Sequence, residues 1–143
     1  MRYVKLVTTL AALLALCCRT TGPDGLEVEL RTTRTTFAPG DTFNGTVTVR
    51  NTRVTEVRTV VGIPWYELRV YDEKDSVVLR YPEVRLATLY ELKLGPWGSE
   101  TNDVAFVFRS HGGSALFPGG NYRIRVELYR YPEPHDDLDI RVE

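Results

Sequence analysis

The chain has 143 residues, 43% hydrophobic and 26% charged, with a formal net charge of −1. Those proportions belong to a chain that can bury a core, which excludes intrinsic disorder, and the near-neutral balance argues against an electrostatic nucleic-acid binder. With only two cysteines and two histidines, the chain has little material for a disulfide scaffold or a thiolate metal site.

The first predicted element is Met1–Cys18, MRYVKLVTTLAALLALCC, which starts with Arg2 and Lys5 and then turns apolar. An apolar run of about eleven residues is too short to span a bilayer but fits the core of an export signal. Leu14-Ala15-Leu16 before Cys17 is similar to a bacterial lipoprotein signal, in which the cysteine receives diacylglycerol. Cys17 is the expected lipid anchor, Cys18 is the alternative, and an ordinary cleaved signal stays open. Arg19 to Gly25, RTTGPDG, then reads as a short polar tether, and 26–143 as one folded domain. Without Arg2 and Lys5, 16 basic side chains face 19 acidic ones, a net charge of −3. Both cysteines sit at the signal boundary, so the domain must hold itself together by apolar packing.

From Leu26 onward the hydrophobic period is two. Leu26, Val28 and Leu30 alternate with charged residues, and Phe43, Gly45, Val47 and Val49 alternate with polar ones. Tyr66, Leu68 and Val70 repeat the pattern, as do Val104, Phe106 and Phe108, then Tyr122, Ile124, Val126 and Leu128, then Leu138, Ile140 and Val142. Such runs read as strands of antiparallel sheets with one wet face. Turn residues separate them: Pro39-Gly40-Asp41, Asp72–Ser76, Gly95-Pro96-Trp97-Gly98 and Pro118-Gly119-Gly120. The composition of Glu83–Leu94 favours helix, but Thr88, Tyr90, Leu92 and Leu94 alternate, which predicts strand in the second half. About seven to nine strands at this spacing predict an all-β, immunoglobulin-like antiparallel β-sandwich.

Three stretches carry a family resemblance. They are Phe37–Asp41 with Gly45–Thr52, Tyr66–Asp72 with Val77–Pro82, and Leu116–Ile124. Together they resemble the bacterial intracellular proteinase inhibitor family, an immunoglobulin-like module also found in exported proteins. Gly95-Pro96-Trp97-Gly98 departs from the usual Pro-Gly turn, and one extra residue precedes Tyr122. The resemblance implies the immunoglobulin-like fold, and the family name implies protease inhibition by a surface loop, for which Tyr81–Ala87 and Gly95–Glu100 are the candidates.

Individual residues sharpen these expectations. Tyr122 stands where a tyrosine would lock a sandwich corner by bonding nearby backbone, the alternative being a plain packed Tyr, while Pro118 and Gly119 and, earlier, Pro39 and Gly40 are the structural residues of turns. His111-Gly112-Gly113-Ser114 lacks the Gly-x-Ser-x-Gly elbow of a hydrolase, so a loop and no enzyme is expected. His111 and His135 are isolated, and Glu133, Asp136, Asp137 and Asp139 match no calcium-loop spacing, so neither metal nor cofactor is expected. Trp65 is expected in the core. Trp97, Arg123 and Arg125 are the candidate contacts for a partner, an envelope protein or polymer and not a nucleic acid. The chain is thus expected to be an exported, membrane-anchored binding or structural module of the cell envelope; the alternative is a proteinase inhibitor.

Overall fold

The computed structural model describes residues 25–109, 115–129 and 131–143, with the backbone alone at 132 and 133. Cys17, Cys18 and 111–114 lie outside the described residues. Among the described residues ten strands follow one another: β1 (Leu26–Thr32), β2 (Thr36–Phe37), β3 (Thr42–Asn51), β4 (Val57–Ile63), β5 (Tyr66–Tyr71), β6 (Val77–Tyr81), β7 (Leu86–Leu94), β8 (Ser99–Val107), β9 (Gly120–Leu128) and β10 (Tyr131–Val142). They form a β-sandwich. One sheet runs β1-β3-β8, a second β2-β10-β9-β5-β6, and β4 pairs with β7 as a two-stranded ribbon. All pairings are antiparallel except the short β2–β10 contact.

The alternating positions define the core. Leu26, Val28 and Leu30, Val47 and Val49, Leu68 and Val70, and Ile124, Val126 and Leu128 are all buried, and Trp65 is buried with them. Removing such side chains from water is the main stabilising term, roughly 1.5–3 kcal/mol each. Five phenylalanines gather at one end of the sandwich. Phe43 stacks on Phe106 at 4.9 Å, Phe37 meets Phe108 edge-on at 4.8 Å, and Phe117 stacks on Tyr122 at 5.0 Å.

Two differences from the sequence expectation concern the ribbon. β4 was not anticipated, because Val60 and Val61 are adjacent and break the alternation. β7 begins at Leu86, so strand extends into the helix-favouring first half of Glu83–Leu94; pairing with β4 overrides local propensity. The ribbon reaches the body closely at Gly62, where a β-carbon would collide with the ring of Tyr129. Arg85 lies 3.9 Å over that same ring and donates to the Tyr66 carbonyl at 3.1 Å.

Strand direction gives the molecule two ends. Leu26 pairs with Asn51, and Arg50 with Ser99, so Gly25, the β3–β4 connection and the Gly95–Gly98 turn share one end. Thr42 pairs with Val107, Val142 with Gly120, and Tyr71 with Arg123. The Pro39–Gly40 turn, the Asp72–Ser76 turn and the Pro118–Gly120 approach therefore share the other.

Candidate functional site

The far end holds an open cleft of about 550 Å³, lined by Thr35, Thr36, Asp72, Tyr122, Arg123 and Asp139 among others. That volume falls within the range of small-ligand sites. Its frame is built by side chain–backbone bonds. Asp72 Oδ1 accepts from the backbone N–H groups of Lys74 and Ser76, each at 2.9 Å. Glu73 reaches across and accepts from both the backbone and side-chain N–H of Asn121, at 3.1 and 3.0 Å. Tyr122 donates its hydroxyl to the Pro118 carbonyl at 2.8 Å, which is the corner geometry that the sequence predicts. Gly40, at φ 83°, lets Asp41 N–H close on the Ala38 carbonyl at 3.0 Å.

Arg123 is the one guanidinium of the cleft that combines an ion pair with a vacant donor. It donates to Asp75 at 2.8 Å and lies 5.1 Å over the Tyr71 ring, while its Nε is buried without a hydrogen-bond partner among the described residues. An unmet buried donor costs free energy until something accepts from it. A sugar hydroxyl or another neutral acceptor has that chemistry, and Asp139, Thr35 and Thr36 add polar groups around it.

The other predicted residues fall elsewhere. Arg125 is engaged by Asp137 through two parallel bonds of 2.7 and 2.8 Å. Burial opposes ionisation of Asp137, but the Arg125 bonds and charge overcome it and pull its carboxyl below the ordinary range. Glu127, which alternation assigns to the wet face, is only 6% exposed and pairs with Arg69 at 2.8 Å. Burial pushes the Glu127 carboxyl up; Arg69 offsets this only in part, and nearby Glu67 adds repulsion. The Arg69 guanidinium is raised too, which favours its charge: burial disfavours that charge, but Glu67 and Glu127 together outweigh it. Asp136 accepts from Leu30 N–H at 2.9 Å, so it ties β10 to β1. Among the described residues no group of three or more His, Cys, Asp or Glu converges in a metal-binding arrangement.

Trp97 sits at the opposite end from Arg123, so the two cannot serve one compact partner. It is 63% exposed. Its turn is closed by Gly98 N–H to the Gly95 carbonyl at 2.9 Å, and Trp97 itself has φ 58°. Asn51 supports this end and is fully buried. Its Nδ2 donates to the carbonyls of Thr55 at 2.7 Å and Gly95 at 2.8 Å, while its Oδ1 accepts from Arg53 N–H at 2.9 Å.

No family model matches the chain, and no curated protein matches it significantly. Among solved structures it is similar to part of a β-glucosidase from Erythrobacter marinus, with TM-score 0.53, 16% identity, and coverage of 82% of this chain and 15% of that one. It is also similar to part of an alkylpurine DNA glycosylase from Pseudomonas fluorescens bound to DNA containing an abasic-site analogue. There the TM-score is 0.55 and the identity 11%, with coverage of 83% of this chain and 30% of that one. A β-glucosidase from Listeria innocua, in complex with isofagomine, gives TM-score 0.51 and 15% identity over 82% of this chain and 16% of that one. The chain therefore spans well under two thirds of each of these proteins, and at such identities the likeness is one of fold alone.

Proposed function

We propose that the chain is a noncatalytic cell-envelope lipoprotein whose immunoglobulin-like module binds an envelope protein or polymer. The observation that carries this is the placement of its two ends. The tether joins at Gly25, on one end of the sandwich, and the cleft around Arg123 opens on the other. A domain anchored through Cys17 or Cys18 would hold that cleft away from the bilayer, where a hydroxyl-rich partner can reach it. Mass spectrometry of the mature amino terminus should find an acylated cysteine. Crosslinking in cells should capture an envelope component that Arg123→Ala loses. Capture unaffected by Arg123→Ala would overturn the role of the cleft, and an unacylated terminus would overturn the anchor.

One observation favours the inhibitor reading as a second. Val84, in the Tyr81–Ala87 connection, is 83% exposed, yet the adjacent Arg85 is pinned to the Pro64 and Tyr66 carbonyls and to Glu67. A protruding residue on a fixed base is what a protease-blocking loop requires. Inhibition of serine, cysteine or metallo proteases that Val84→Asp abolishes would establish this reading; unchanged proteolysis in every class would exclude it.

A further inference from the structure

The turn around Trp97 is made at a cost. Pro96 and the Gly98-to-Gly95 hydrogen bond define a tight turn whose third residue takes φ 58°, a position that favours glycine. A tryptophan there is strained, and it leaves its ring in water, where it contributes nothing to the core. Strain kept at an exposed aromatic points to a use outside the fold.

The surroundings say what that use is. Trp97 N–H donates to the Arg53 carbonyl at 3.3 Å, which sets the turn beside the β3–β4 connection. Val54, in that connection, is 73% exposed, and Arg50 and Arg53, just before it in the chain, are exposed as well. Thr52 binds the Gly25 carbonyl twice, through its N–H at 2.8 Å and its hydroxyl at 2.7 Å. The tether therefore leaves the domain at this very tip. Six residues lie between Cys18 and Gly25, so seven residue-to-residue steps join them. Fully extended they reach at most about 25 Å, and as a flexible coil roughly 15 Å. An indole and a valine beside exposed arginines have the amphipathic character of the bilayer interface, with apolar groups among acyl chains and cations among anionic headgroups.

We propose that Trp97 and Val54 form a membrane-contact tip, which enters the headgroup region of an anionic bilayer and fixes the orientation of the domain on it. This rests on the lipoprotein reading for its anchor, but the tip can be tested without native acylation. The chain's only thiols are Cys17 and Cys18. They can be coupled to a maleimide lipid in vesicles of phosphatidylethanolamine and phosphatidylglycerol, which fixes the tether length. With brominated acyl chains present, most of the Trp97 emission should be quenched. Trp97→Phe should leave only the unquenched emission of buried Trp65. Without coupling, Trp97→Gly should weaken vesicle binding of the natively processed protein about tenfold or more. It should also leave the thermal midpoint unchanged or raised, because glycine relieves the strained φ. Unquenched Trp97 on coupled vesicles would overturn the proposal while leaving the lipoprotein reading intact. So would a Trp97→Gly variant that loses stability, which would make the residue structural, or one that loses capture of an envelope protein with vesicle binding unchanged. An unacylated native terminus with quenching on coupled vesicles would overturn the lipoprotein reading and leave the tip standing.

Discussion

Two polar residues that act as internal struts differ in how much depends on them. Tyr122 makes one hydrogen bond to a carbonyl on a partly exposed corner. Asn51 is fully buried and satisfies several backbone groups from two segments, including the Leu94 carbonyl at 3.2 Å. Replacing a hydroxyl that has one partner typically costs about 1 kcal/mol, whereas each buried group left unmet costs about 1–3 kcal/mol. Tyr122→Phe should therefore lower the urea midpoint slightly, by about 1 kcal/mol at unchanged slope, and Asn51→Ala by about 3 kcal/mol or more. Equal losses would mean that water replaces Asn51 in its site. The sequence points to Tyr122, at the head of an alternating run, and does not mark Asn51 as a strut. The difference is physical. A corner tyrosine bonds four residues upstream, whereas the partners of Asn51 include carbonyls 43 and 44 positions away, and no local pattern records them.

At the scale of the elements, β9 and β10 carry two carboxyls whose titrations act in opposite directions. Asp137 is held below its ordinary value of 3.8 by Arg125. Its stabilising contribution is present above that value and is lost as pH falls through the lowered one. Glu127 is held above its ordinary value of 4.5 by burial. Its ionised form disfavours the fold at neutral pH, and protonation on the way down toward 4.5 removes that cost. Asp137→Asn should therefore be less stable than the parent at pH 7, by no more than about 1 kcal/mol because the pair is about a third exposed. The gap should close below pH 3.8. Glu127→Gln should remove the gain in stability that the parent shows on mild acidification. Denaturant curves at a series of pH values read both differences; an Asp137→Asn gap that widens in acid would reverse the assignment. Alternation predicted that Arg125 and Asp137 would lie outward, and they do. It did not predict that Glu127 would be covered. Its neighbour Arg69 lies on β5, which pairs with β9, and the sequence holds no signal for which strands become neighbours. The same limit hid the β4–β7 ribbon. Pairing between segments that break the period of two is fixed by tertiary contacts such as Gly62 on Tyr129.

At the scale of the whole molecule, one apolar cluster draws side chains from all three sheets, with Val57, Val61, Leu92 and Leu94 as the share of the ribbon. A single core implies that the body unfolds as a unit. The first part of β7 is different. Leu86–Glu91 are all exposed, and local opening costs least where little apolar surface is buried. The chain from Gly25 onward should therefore show one unfolding transition, with Trp65 fluorescence and far-ultraviolet circular dichroism superimposed. Amide exchange should be graded within that cooperative frame. Amides of Leu86–Glu91 should exchange through local opening, nearly independent of added denaturant. Those of Val47, Val49, Ile124 and Val126 should exchange only through global unfolding and show its full denaturant dependence. Phe43→Ala should cost about 3–5 kcal/mol, because it empties the centre of the phenylalanine cluster. It should speed exchange at the four core sites by the corresponding factor and leave Leu86–Glu91 almost unchanged. Separate melting of the ribbon before the body, seen as two transitions, would show that its four buried side chains do not couple it to the core.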